Sequence, residues 1–256
     1  MVHTHAFPIR IKLGNNVHIE PSATLHGEIS LDDDCWIGSN VTIHDGARIS
    51  KRVKIFPGAV ISAIPQDLKF AGEKTTLEVG DDTVIRECAT LNRGTTALGK
   101  TVVGKNCLIM AYVHVAHDCI VGNNVILANA VNLAGHVEIG DWAILGGLVG
   151  CHQFVRIGAH SIIAAGVTVR KDVPPFIKAG REPIQYAGVN SIGLRRRGFE
   201  AETINHIQEI YRHIFVTGKN TAKAIEHVVT QIPFSDERDT IVNFVRNSER
   251  GILKGV

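Results

Sequence analysis

Leu13, Ile19, Leu25, Leu31, Ile37, Ile43, Ile49, Ile55 and Ile61 place an aliphatic side chain at every sixth position. Four positions after each comes a small or β-branched residue, as at Val17, Ala23, Cys35, Val41 and Ala59. The beat resumes at Val79, Ile85 and Leu91 and runs unbroken over 103–169, through Val103, Ile109, Val115, Val121 and on to Val169. Neither the 3.6-residue period of a helix nor the two-residue period of a strand produces it. A coil of three short strands joined by tight corners does. Each strand turns one aliphatic residue inward, and the crowded corner admits a small one. Glycine often follows the aliphatic residue, as at Gly14, Gly38, Gly104 and Gly122. Stacked coils bury a continuous column and pair every strand with the coils above and below. The pattern predicts a hexapeptide parallel β-helix.

Two insertions, 62–76 and 93–101, interrupt the beat without shifting its phase, so both are expected to project from corners, where function tends to sit. The prolines of "DVPPF" (172–176) are expected to end the last coil. Beyond them Ile204, Ile207, Tyr211 and Ile214 fall at helical spacing within 199–217. Two further amphipathic stretches, Thr221–Gln231 and 235–247, turn Ile225, Val228, Ile241 and Val245 inward. The division expected is a β-helix over 1–190 and a small helical domain over 191–256.

The composition narrows the function classes. With 45% hydrophobic and 20% charged residues the chain is a globular protein. No apolar run approaches the ~18 residues that span a bilayer, and the N-terminus lacks a signal-peptide pattern, so a cytoplasmic protein is expected. A net charge of +2 gives no sign of nucleic-acid binding. Five cysteines fit no disulfide framework; Cys35, Cys107, Cys119 and Cys151 occupy apolar slots of the repeat. Aromatic content of 5% suits a narrow bore.

Polar groups break the repeat at a few places. "HVAHDC" contributes His114, His117 and Asp118. Imidazole is the side chain best matched to proton removal near neutral pH, and a carboxylate beside it can fix its tautomer. Adjacent strand residues point to opposite faces, so a His117–Asp118 pair needs a corner. "LAGHVEIG" adds Gly135 and His136, and "GCHQFVRIG" adds His152 and Gln153. The spacings 117–136 and 136–152 are each about one coil, which predicts three histidines climbing one wall into a shared site. A ladder of that kind spreads its nitrogens out, so no metal is expected. "LRRRGF" supplies Arg195, Arg196 and Arg197, suited to phosphates or carboxylates, and "PQDLKFAGE" supplies Asp67 and Lys69.

These segments, with "RECATLNRGT", "IGAH", "DVPPF" and "GVNSIGLRRRGF", occur in an order that resembles the UDP-N-acetylglucosamine O-acyltransferases of lipid A biosynthesis over essentially the whole chain. The resemblance implies a left-handed parallel β-helix followed by a small C-terminal α-helical domain, an exception to the right-handed crossover rule. It implies a homotrimer with active sites between subunits, and transfer of a 3-hydroxyacyl group from acyl carrier protein to the glucosamine 3-hydroxyl of UDP-N-acetylglucosamine, without a cofactor. His117 matches the general base, Asp118 its support and Gly135 the donor to the thioester oxyanion. His136, His152 and Gln153 match residues lining the substrate site. Asp67, Lys69, His114, Asn190, Arg196 and Arg197 match the remaining substrate contacts.

The chain departs from some members in having Asn92 for a histidine and Ile192 for an acidic residue; Asn92 is expected to keep a tuned substrate contact. Small Ala165, at a position that plugs the acyl groove, and Pro183, near the groove's far end, point to an acyl chain of fourteen carbons or more. A sister N-acyltransferase needs an N-terminal uridine-binding domain for which the beat leaves no room. A zinc-dependent carbonic anhydrase on the same scaffold needs a pair of histidines five apart, which is missing. Another nucleotide-sugar acceptor stays open.

Overall fold

The computed structural model describes residues 10–217 and 220–255, so the first nine residues of the expected β-helix lie outside the described residues. Within it the period of six becomes three flat walls, parallel sheets of eight, ten and eight strands, most strands only two residues long. The chain visits the three walls in turn and climbs one coil per circuit, so His114 pairs with Asn132 and Asn132 with Gly150, eighteen residues apart each time. The coil is the left-handed parallel β-helix. The aliphatic beat lines its bore: Ile37, Ile55, Ile85, Ile109, Leu127 and Leu145 are all 0% exposed. Burying each such side chain stabilises the fold by roughly 1.5–3 kcal/mol. Aromatic rings are excluded from this column; Tyr112, Trp142 and Phe154 sit outside it on the corners.

Most corners are made by one residue in left-handed backbone conformation, three places after the inward aliphatic residue. Asp82, Asn106, Asp118, His136, Trp142 and His160 occupy this place with φ of 54–63°. Asn, Asp and His tolerate that region better than other side chains. The glycine after the aliphatic residue answers a different need, because a Cβ on Gly104 would lie 2.5 Å from the carbonyl oxygen of Gly122 in the next coil.

The prolines do not end the coil. The strand Ile177–Gly180 still pairs in parallel with Ile162 and Ile163, in a circuit two residues shorter than the regular repeat of eighteen (Ile162 with Lys178), and then turns into an antiparallel pairing with Gln185–Val189. Among the described residues four helices follow instead of three: α1 (Ser191–Arg196), α2 (Ala201–Phe215), α3 (Thr221–Gln231) and α4 (Asp236–Arg246). The unanticipated α1 is initiated by Asn190, whose side chain accepts the Gly193 N–H. Ile204, Ile207, Tyr211, Ile214, Ile225, Val228, Ile241 and Val245 face inward as their spacing predicts. Tyr211, fully buried, donates its hydroxyl to the Pro175 carbonyl at 2.6 Å and ties the helices to the top of the coil. Among the described residues no helix is long and apolar enough to cross a membrane.

Candidate active site

The strand His114–Val115 runs into a corner whose left-handed residue is Asp118. That turn is what lets two neighbours in sequence lie side by side, with His117 Nδ1 2.8 Å from Asp118 Oδ2. Both are buried, Asp118 completely. The insertion 93–101 supplies the rest of the setting. Its first residues do not project; Arg93, Gly94 and Thr95 are buried, and the loop folds back over Asp118. Asp118 Oδ1 accepts the backbone N–H of Thr95 at 3.0 Å and of Leu98 at 3.2 Å. Oδ2 accepts the Thr95 hydroxyl at 2.7 Å, and the Asp118 N–H donates to Thr101 Oγ1 at 2.8 Å.

Burial by itself would raise the Asp118 carboxyl. The donors from Thr95, His117 and Leu98 outweigh it and hold the group below the ordinary carboxylate value, so Asp118 is ionised. An ionised carboxylate at Nδ1 requires Nδ1 to carry the proton, which leaves the lone pair on Nε2. The hydrogen-bond network thus assigns the tautomer that a base needs.

Gly135 lies one coil above His117. A Cβ there would stand 2.6 Å from Cε1 and 2.7 Å from Nε2 of the His117 ring, so only glycine leaves the ring its place. The Gly135 N–H has no protein acceptor among the described residues. His136, the next corner residue, donates its backbone N–H to the His117 carbonyl at 3.1 Å and meets the His117 ring edge-on at 5.2 Å. Its other side stacks on Phe154 at 4.6 Å. Burial lowers the His136 imidazole, Asp118 and Asp67 oppose that, and His117 lowers it further; the net is below the ordinary value. His114 is lowered by burial and then by His117, while its Nδ1 lies 2.7 Å from Thr90 Oγ1. His117 therefore stands between two imidazoles kept neutral.

The histidines do not form a single column. With a repeat of eighteen, His117 stacks with Gly135 and Gln153, Asp118 with His136 and Phe154, and His152 belongs to the file of Ala116 and Ala134. His117 and His136 meet because they are neighbours across one corner. His152 is exposed on that corner, its Nδ1 3.3 Å from the Gln153 carbonyl.

The other residues singled out by sequence scatter over the coil. Asn92 is 2% exposed, and its amide donates to the carbonyls of Ile64 at 2.9 Å and Ala63 at 3.4 Å. It anchors the insertion 62–76 from inside. Arg93, also buried, faces the Phe70 ring and pairs with Asp45 at 3.2 Å. Asp67 and Lys69 ride on that insertion, joined by the Lys69 N–H to Asp67 Oδ1 at 3.0 Å. Asn190 and Arg197 gather around His160, on a different corner from His117; Arg196 and Ile192 are exposed on α1. Ala165, exposed, lies beside Gly166 at the third kind of corner, and exposed Pro183 sits in the turn between the last two strands. Thr95, Thr101 and Leu98 escaped the sequence reading, because nothing in "RGTTALGKT" marks it as a cradle for a carboxylate twenty residues away.

His117, Asp118 and His136 each bring one ligand atom within 4.8 Å of one another, a convergence that a spread-out ladder would not give. The donor set argues against a cation all the same. Both Asp118 oxygens are already taken by two donors each, and one of those donors is the His117 Nδ1–H. The cluster fits a proton-handling pair.

A left-handed hexapeptide coil with such a pair on its wall belongs to the hexapeptide transferases, and residues 100–133 match the family model described as bacterial transferase hexapeptide. Residues 172–253 match the one described as UDP-N-acetylglucosamine O-acyltransferase, domain 2. An acyl-[acyl-carrier-protein]–UDP-N-acetylglucosamine O-acyltransferase of Xanthomonas axonopodis pv. citri is 42% identical over 250 residues, covering 92% of this chain and 95% of that protein. The Chlorobaculum parvum enzyme of the same name is 58% identical over 80% of this chain and 78% of its own. The crystal structure of a UDP-N-acetylglucosamine acyltransferase from Bacteroides fragilis superposes with a TM-score of 0.94 at 48% identity, covering 99% of this chain and 100% of that one. The chain belongs to the UDP-N-acetylglucosamine O-acyltransferase family.

Proposed function

We propose that the protein transfers a 3-hydroxyacyl chain from acyl carrier protein to the glucosamine 3-hydroxyl of UDP-N-acetylglucosamine, the first step of lipid A biosynthesis, in the cytoplasm. The observation that carries the mechanism is the stack of Asp118, His117 and Gly135. His117 Nε2 takes the sugar hydroxyl proton as its oxygen attacks the thioester carbon. The negative charge that develops on the carbonyl oxygen is met by the Gly135 N–H. The C–S bond then breaks, and the proton passes from His117 to the departing carrier thiolate. Asp118 keeps the ring in one tautomer throughout and offsets the imidazolium charge.

His114, His136, His152 and Gln153 line the approach to this stack; the loop carrying Asp67 and Lys69 supplies further substrate contacts, supported by the pull of Asp67 on the His136 imidazole. Asn190, Arg196 and Arg197 lie on another corner of the same chain, which supports a homotrimer in which a neighbouring subunit completes the nucleotide site. A protein divided near residue 190 into coil and helices fits the same scheme, with Arg196 and Arg197 also available to the acidic carrier. Small Ala165 favours an acyl chain of fourteen carbons or more.

The test offers UDP-N-acetylglucosamine and a mixture of 3-hydroxyacyl carrier proteins to the wild type and to His117→Ala, with products read by mass spectrometry. The expected result is an O-acylated nucleotide sugar, the longer chains preferred, and a loss of roughly 10²–10⁴-fold in the variant. A variant at full rate removes His117 as base; preference for a ten-carbon chain removes the chain-length reading.

A further inference from the structure

The corner that holds His117 is unusual in where its carboxylate finds its donors. Thr95 gives Asp118 two hydrogen bonds, one to each oxygen: its N–H to Oδ1 at 3.0 Å and its hydroxyl to Oδ2 at 2.7 Å. Oδ2 is also the atom that accepts from His117 Nδ1. Thr95 is itself 7% exposed and held rigidly. The Thr75 hydroxyl donates to the Gly94 carbonyl at 2.6 Å, the Gly99 N–H to the Thr95 carbonyl at 2.7 Å, and the Ala97 N–H to Thr95 Oγ1 at 3.2 Å. Gly94 packs so closely on the Lys100 backbone that a Cβ would lie 2.6 Å from Lys100 Cα. On the other side Thr101, 0% exposed, fixes the Asp118 backbone.

The Thr95 and Leu98 N–H groups both hold Oδ1, so a carboxylate fixed there alone could still swing Oδ2 and carry the ring with it. The Thr95 hydroxyl, which shares Oδ2 with the ring, removes that freedom. We infer that Thr95 is a positioning residue of the transfer reaction, acting through Asp118 to hold the His117 ring with Nε2 directed at the reacting hydroxyl. The inference rests on the reading of His117 as the base.

The sign of the effect follows from the shared oxygen. Without the Thr95 hydroxyl, Oδ2 becomes a stronger acceptor for the ring N–H, and the imidazolium form of His117 is favoured. The other titratable groups around the ring, His114 and His136 with Asp67 beyond it, are unchanged. The acidic limb of the kcat/KM profile, where the base must be unprotonated, therefore moves to higher pH.

The experiment uses the full-length enzyme and compares Thr95→Val, Thr95→Ser, His117→Ala and the double variant His117→Ala/Thr95→Val. Thr95→Val is expected to lower kcat by roughly 10–100-fold, the cost of a misplaced catalytic group, with the KM for UDP-N-acetylglucosamine within about threefold of wild type. Its acidic limb moves up, Thr95→Ser restores rate and limb, and adding Thr95→Val to His117→Ala costs less than about twofold more, because the two act as a unit. Three results overturn the inference: Thr95→Val with wild-type kcat and limb; a fall in kcat with the limb in place; or effects of the two substitutions that multiply. Should Thr95→Val lose its fold by circular dichroism, Thr95→Cys, which keeps only a weak donor, must move the limb in the same direction, and a limb left in place overturns the inference equally. His117→Ala at full rate is a separate result, which removes the base itself.

Discussion

His117 and His160 stand at corners built on the same backbone plan, and they meet opposite partners. At the first corner Asp118 Oδ2 faces the ring at 2.8 Å, so Nδ1 is a donor and Nε2 keeps its lone pair. At the second the Arg197 guanidinium faces the ring at 3.4 Å, so Nδ1 is the acceptor and Nε2 carries the proton. Burial, then Arg197, pushes His160 down to about 4, with Asp141 opposing only in part. The rest of that corner is aromatic. Trp142 and Phe176 lie nearly parallel to the His160 ring at 6.4 and 5.6 Å, Phe199 meets it edge-on, and Arg197 also covers Trp142 at 5.2 Å. The Asn190 amide donates to the His160 carbonyl at 2.8 Å, which joins the coil to α1. A shared scaffold thus gives one imidazole the tautomer of a base and locks the other as a neutral stacking element. The side chain opposite Nδ1 makes the difference.

The sharpest way to break this contrast is to give His117 a partner of the wrong polarity. Asp118→Asn keeps the size and can keep the Thr95 and Leu98 N–H bonds at its carbonyl oxygen, but it turns an N–H toward His117 Nδ1. The ring must then protonate Nε2, and a loss in kcat on the order of 10⁴ is expected, with thermal unfolding little changed, as for a triad with its orienting carboxylate neutralised. A loss of less than tenfold would mean that the carboxylate does not set the tautomer.

A smaller effect is expected from Gly135→Ala. Its methyl would occupy space 2.6 Å from the His117 ring, so the ring must swing away from its productive place, at a cost of roughly 100-fold in kcat. Gly150→Ala, on the same wall with nothing within 4 Å of its Cβ, serves as the silent control. Equal activity in the two variants would show that the fit between Gly135 and His117 is immaterial.

The smallest effect lies at the second corner and appears in stability. His160 has a folded-state value of about 4 against an ordinary 6.5, so between those values the unfolded chain binds more protons than the native one. Its contribution to stability is therefore complete above about pH 6.5 and is lost as pH falls toward 4. His160→Phe keeps the stacking and removes the titration. The difference in unfolding midpoint between variant and wild type, followed by denaturant titration from pH 7 to pH 4, should shift in favour of the variant as pH falls. A constant difference would mean that His160 is not held neutral by its surroundings.

How much of this was legible in the sequence depends on the range of the interaction. The bore was, because each coil repeats the same local demand: Ile37, Ile55 and Ile109 sit where the beat puts them. His117 and Asp118 were visible as polar intrusions into an apolar pattern, and Gly135 and His136 as their neighbours one coil on. The order of the histidines was not, because spacings of 19 and 16 differ from the true repeat of eighteen by enough to put His136 and His152 in different files. The tie from Asn92 to the neighbouring insertion was not legible either, because it depends on a register shift beside Leu91 that brings the amide to the insertion's carbonyls. The insertion 93–101 had no periodicity to read, and its role was invisible for that reason.

The sequence alone determined the coil, its bore, the inward faces of the helices and the presence of an imidazole beside a carboxylate, since these are set by local period and by side-chain chemistry. Only the tertiary structure decided which polarity each imidazole adopts, that Thr95 closes on Asp118, and that Asn190 and Arg197 serve a different corner from His117. Those outcomes depend on contacts between coils and loops far apart in the chain, where the path of the backbone, and no residue's own preference, selects the partner.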